Sequence, residues 1–179
     1  NIENKVSAIQ LIRKSWSKAS LVAEDGTATT KAVEVARTIN RYHGSFVAAP
    51  KAVREAIEPH LGETILAGHY AKLRGLNAFS ACKTGFVLCD PMVPPIAVLD
   101  LALAYGADDR DAYYLPEYIE EVRRFRMRDP EHVETSISPV AAHPVLETYR
   151  EILVDDEMLQ AIGRVRGFWN ERTVYILSN

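Results

Sequence analysis

Gln160, Arg164 and Arg166 lie in the stretch QAIGRVRG, residues 160–167, at spacings of four and two, ahead of the strand-like run TVYIL. On a helix, Gln160 and Arg164 share one face a turn apart, and Arg166 joins them only where the helix ends near Gly163 or Gly167. Guanidinium groups leaving a terminating helix suit a phosphate, being permanently charged and carrying a planar fork of donors. The plain alternative is a last helical turn whose cations complement the helix dipole, and spacing alone favours it. A second stretch, GHYAKLRGLNAF at 68–79, gathers His69, Lys72, Arg74, Gly75 and Asn77 between two apolar runs. Loops after strands are where α/β sheets place their sites, and a basic loop with aromatics also suits a nucleic-acid backbone. An ordinary polar surface turn is an equal reading of this loop by itself.

Other chemistry is missing from the pattern. Neither G-x-x-x-x-G-K-[ST] nor G-x-G-x-x-G occurs, and Lys83-Thr84 follows no glycine loop, so a complete phosphate cradle is absent. The run Asp155-Asp156-Glu157 reads as an acidic first turn of a helix rather than a metal motif. Cys82 and Cys89 have no companions at ligand spacing, which predicts two buried, reduced thiols and no metal site. With 21 basic against 24 acidic residues the net charge is −3, which excludes a wholly basic coat and leaves phosphate contact to clustered arginines. No apolar run approaches the ~20 residues that span a bilayer, and the first ten residues lack the order of a signal peptide. A soluble, cytoplasmic chain without a membrane partner is expected, and Asn1 in place of Met suggests a piece of a longer polypeptide.

The elements that must position these residues follow from periodicity. Val6, Ile9, Ile12 and Trp16 predict a short helix over 5–19, and Val33, Ala36 and Ile39 another over 27–42, stopped by Gly44. GSFVAAP reads as a strand and PKAVREAIEPHL as a helix opened by Pro50. TILA and GFVLC read as two further strands, PIAVLDLALAYG as a helix ended at Gly106, and 145–165 as a helix whose pattern allows a break near 155–157. Strands alternating with helices predict a three-layer α/β domain, a mainly parallel sheet with helices on both faces. Residues 107–143 fit that plan poorly; the alternation in RFRMR and VETSI predicts an inserted β-hairpin around DPEH, within about 117–138.

Taken together, the two charged stretches resemble a known family. QAIGRVRG before a strand is similar to motif VI of superfamily-two helicases, and HYAKLRGLNAFSACKTGFVLCDP looks like the motif V region of phage- and plasmid-type helicases and primase-helicases, in the same order. The resemblance covers roughly 30–179 as a C-terminal RecA-like lobe, with GSFVAAPKAV as its early strand and helix. It implies Arg164 and Arg166 as arginine fingers toward the γ-phosphate of a nucleotide, with Gln160 and Gly163 at the same cleft. It places Gly75 and Asn77 in the loop that couples nucleotide to nucleic acid, and Lys72, Arg74 and His69 beside the nucleic acid, DNA in the first place. Asn77 departs from the Asp that many helicases carry, and residues 107–143 have no counterpart in the common lobe. ATP and Mg2+ would be held with an N-terminal P-loop lobe of the same polypeptide, so the fragment alone would be inactive. The rivals are a non-catalytic nucleic-acid-binding α/β module, using Lys72, Arg74 and RRFRMR, and a small-molecule enzyme with its site near Asp90 and Asn77.

Overall fold

The computed structural model describes residues 6–11, 16–73, 77–91, 93–106, 118–126, 133–164 and 171–178. It divides into two compact units, one of residues 1–91 and 157–179, the other of Met92–Asp156.

The first unit is built on a five-stranded sheet of β1 (Val6–Gln10), β2 (Phe46–Ala49), β3 (Leu66–His69), β4 (Thr84–Leu88) and β7 (Arg172–Leu177). The strands lie in the order β1-β7-β4-β2-β3, and every neighbouring pair is parallel. Parallel neighbours need long crossovers, here made partly by α1 (Lys18–Leu21), α2 (Thr30–Ile39) and α3 (Lys51–Ile57). Alternate strand residues feed two separate cores, as the two-residue period of a strand requires. On one face Val47, Ala49, Phe86, Leu88 and Leu177 pack with Leu21, Ala32, Ile39, Val53 and Ile57 of the three helices. On the other face Phe46, Ala48, Val87 and Val174 pack with Tyr70, Leu73, Phe79 and Ala161. Ala161 belongs to α5 (Pro144–Gly163), so helices cover both faces, as the alternation predicted.

Local chemistry accounts for the element ends. The Thr29 hydroxyl accepts from the backbone N–H of Ala32 at 3.2 Å and caps α2. Past the end of α2, Gly44 takes φ +67, a left-handed turn that turns the chain into β2. Two expectations are corrected. The helix expected over 5–19 is replaced at Val6–Gln10 by an edge strand, which pairs along Arg172–Ile176. Its apolar spacing satisfies a strand as well, with Val6 toward one core and Leu11 toward the opposite face. Asp155-Asp156-Glu157 is not a first turn, since α5 runs unbroken through it, with both aspartates exposed to water in mid-helix.

The second unit holds α4 (Pro95–Ala104), the antiparallel pair β5 (Tyr118–Arg126) and β6 (Val133–Ala141), and the first part of α5. The pair stands where RFRMR and VETSI predicted a hairpin, while the expected turn at DPEH lies outside the described residues. Val98, Ala102, Ala141 and Leu146 form its core. Glu147 ties the end of β6 to α5: its carboxylate accepts from the Ala141 N–H at 2.6 Å and from Arg150 at 2.7 and 2.6 Å. Arg150 is 9% exposed, and the charge-assisted bonds to Glu147 raise its already high pKa further.

Candidate functional site

The segment after β3 is not a free surface turn. His69 ends the strand, Tyr70–Lys72 and Ala78–Ala81 each make a tight 3-10 turn, and Tyr70, Leu73, Phe79 and Cys82 are buried. Gly68 lets this packing happen, because a Cβ there would meet Leu73 Cδ2 at 2.8 Å and Phe79 Cζ at 3.1 Å. With the apolar side chains drawn inward, Lys72 and Asn77 are left exposed.

The last two turns of α5 join the same core. Ala161 is fully buried against the Phe46, Tyr70, Leu73 and Phe79 cluster, and Met158 and Ile162 are half-buried against it. Gln160 and Arg164 stand one turn apart at the end of this helix, both half-buried. The Arg164 N–H donates to the Ala161 carbonyl at 3.3 Å, a tightened final turn. Gly163 is exposed, and a Cβ added there would meet no described atom within 4 Å. Glycine near a helix end without a positive φ or a crowded Cβ has no packing reason in the described residues, although it costs helix stability. The end of α5 that carries Gln160, Gly163 and Arg164 thus packs through Ala161 on the same core as Tyr70, Leu73 and Phe79 of the segment that displays Lys72 and Asn77, whereas His69, paired with Ala49 in the β2–β3 register, belongs to the α3 side of the sheet. Arg74, Gly75 and Arg166 lie outside the described residues.

Three electrostatic features at the ends of β3 and β4 were not visible in the sequence. Burial, then the cations of Lys72, Arg54 and Lys51, holds the His69 imidazole below its ordinary pKa, with Glu55 opposing. His69 is thus neutral at pH 7 and offers hydrogen bonding rather than charge. Tyr70 donates to the carbonyls of Leu88 at 3.0 Å and Cys89 at 2.6 Å. Its pKa is pushed far up by burial and then by Cys89, Asp90 and Glu157. Cys89, at the carboxyl end of β4, has φ +60, a conformation uncommon for a side chain with a Cβ. Its thiol is pushed up to about 12, by burial first and then by Asp90. Both cysteines are buried and reduced. No sequence period announces a left-handed cysteine, and two of the cations around His69, Arg54 and Lys51, come from α3, about fifteen or more residues upstream.

The two connections leaving the sheet's middle diverge at this edge. β2 continues into α3 on one face, whereas β4 leads toward α5, whose end packs on the other. Crevices between strands whose connections part in this way are where open α/β sheets bind ligands. Among the described residues no group of three His, Cys, Asp or Glu is placed to hold a metal ion, and no helix is long and apolar enough to cross a membrane. Comparison with protein families, with curated proteins and with solved structures finds no match to this chain.

Proposed function

We propose that this chain is the arginine-bearing, RecA-like C-terminal lobe of an ATP-dependent nucleic-acid helicase or translocase, completed by a P-loop lobe outside these 179 residues. The observation that carries the reading is the shared core: Ala161, one residue past Gln160 and three before Arg164, is buried with Tyr70, Leu73 and Phe79 of the segment that displays Lys72 and Asn77. A displacement of either stretch repacks the other, which is the coupling between nucleotide and nucleic acid that such a lobe needs. The all-parallel sheet with helices on both faces also supports it.

In this reading Arg164 carries a fixed positive charge to the edge of a cleft and stabilises the charge that develops on a transferring phosphoryl group. Gln160, one turn earlier on the same helix face, donates or accepts a hydrogen bond there. The bare helix surface at Gly163 gives the approaching group room. ATP with Mg2+, bound chiefly by the P-loop lobe, supplies the phosphoryl chemistry. Lys72, exposed beside a neutral His69, takes a backbone phosphate of the nucleic acid, DNA in the first place.

The test is Arg164→Ala in the complete polypeptide. Nucleic-acid-stimulated ATP hydrolysis is expected to fall by ~1,000-fold or more, while nucleic-acid affinity stays within about twofold of the parent. Retained hydrolysis with lost affinity would instead assign the chain to the non-catalytic nucleic-acid-binding modules and end the helicase reading.

A further inference from the structure

The turn between α2 and β2 holds a phenol against the sheet. The Tyr42 N–H donates to the Ile39 carbonyl at 2.9 Å, the Tyr42 carbonyl accepts from the Ser45 N–H at 3.1 Å, and Gly44 supplies the left-handed residue between them. On the sheet, Phe86 of β4 and Tyr175 of β7 stand opposite each other in the parallel register, with ring centres 5.2 Å apart and an 18° angle between the rings. Tyr42 meets the Phe86 ring edge-on, at 5.3 Å and 69°. The Phe86 ring thereby touches both phenols and limits where each of them lies.

The two phenols converge at their oxygen ends. The ring centres of Tyr42 and Tyr175 are 5.7 Å apart and tilted by 59°, while their hydroxyl oxygens are only 3.5 Å apart. The ring carbons beside each hydroxyl therefore face one another, and these are the positions at which phenoxyl radicals carry unpaired spin and join. Tyr42 is 36% exposed, so an electron acceptor in solution reaches the pair through it. The bond to Tyr42, and then burial, raise the Tyr175 pKa, so at neutral pH that phenol keeps its proton until it loses an electron. Other described tyrosines are placed differently. Tyr70 and Tyr118 donate their hydroxyls to backbone carbonyls, and Tyr105 and Tyr149, in the second unit, have ring centres 6.3 Å apart.

We infer that Tyr42 and Tyr175 form an oxidative modification site, at which a one-electron oxidant of the peroxidase class, supplied with hydrogen peroxide, joins the two rings into an intramolecular dityrosine. Each phenol gives up one electron and its hydroxyl proton. The two radicals then pair to form a bond between the carbons beside the hydroxyls, and each ring regains aromaticity by passing the hydrogen of its bonded carbon to its oxygen as a proton. Two hydrogens leave in all, and one hydrogen peroxide is reduced to two waters. Because the partners are already in contact, the coupling is unimolecular and outruns encounters between chains. The product ties the turn after α2 to β7 across a span of 133 residues. Neither tyrosine belongs to the proposed nucleotide and nucleic-acid face, so the site stands or falls independently of that reading.

Treatment of the dilute 179-residue chain with a haem peroxidase and an equimolar amount of hydrogen peroxide tests it. Dityrosine fluorescence is read in the monomer fraction after size-exclusion chromatography, and the bond is located by mass spectrometry of a protease digest. The expected product is one cross-linked peptide pair carrying Tyr42 and Tyr175, lighter than the two separate peptides by two hydrogens. Tyr42→Phe and Tyr175→Phe keep the rings and remove the hydroxyls. Each should lower the monomer fluorescence by at least ~10-fold with far-UV circular dichroism unchanged, and unfolding in urea before oxidation should do the same. Fluorescence indifferent to both variants, a cross-link located at other tyrosines, equal yield from the unfolded chain, or dityrosine confined to dimers would overturn the site.

Discussion

At the scale of single residues, the end of β4 concentrates the unusual chemistry of the first unit. Cys89 holds a left-handed backbone conformation, gives its carbonyl to Tyr70, and keeps its thiol protonated up to about pH 12. An unfolded chain loses that proton at the ordinary thiol pKa, so between roughly pH 9 and 12 the folded state binds more protons than the unfolded one. Stability should therefore fall as pH rises through that window, by about 1.4 kcal/mol per pH unit for this group. Tyr70, raised in the same direction, adds to the loss at higher pH. Urea melts at pH 8, 9.5 and 11 check this: Cys89→Ala should flatten the decline, and an equal slope in both proteins would refute it. The placement of Gln160 and Arg164 one turn apart was legible in the sequence because a single helix carries them at a spacing of four. The aromatic cluster of Tyr42, Phe86 and Tyr175 was not, because its members come from three separate parts of the chain, and only the β4–β7 register and the crossover through α2 bring them together.

Among the elements, α2, capped by Thr29, and α4, opened by Pro95 in its first turn, emerged where their sequences placed them. β1 did not, because an edge strand whose residues are mostly exposed carries no clear period and takes its structure from β7. The reading of 155–157 as a helix start failed for a related reason: acidic side chains, two of them exposed, tell nothing about where a helix begins. What secures α5 at its other end is Glu147, which satisfies both the Ala141 N–H and the buried Arg150 guanidinium. Glu147→Ala should cost about 3 kcal/mol, because it leaves a buried cation and a backbone N–H without their acceptor. Adding Arg150→Met should recover a good part of that loss. Thermal melts of the single and double variants measure the difference, and a double variant no more stable than the single one would show that the ion pair is not the source.

For the whole molecule, the second unit reads as an insertion into the first, between β4 and the end of α5. Asp90 and Glu157, at the two sides of that break, both act electrostatically on the same buried Tyr70. Replacing residues 92–156 by a flexible linker of about eight Gly/Ser residues, which spans roughly 16 Å on average, should leave a five-stranded unit that unfolds cooperatively. A broad, non-cooperative melt would show that the sheet depends on the insertion. The sheet order carries a further consequence for how the protein is made. β7 lies between β1 and β4 yet follows β4 by more than eighty residues of chain, so on the ribosome both neighbours wait for it. At 5–20 residues per second the wait is roughly 5 to 15 s, with two strand edges open and Phe86 and Val87 short of their final cover. A nascent chain in that state is a natural client for chaperones, and slowing translation across the insertion lengthens its exposure.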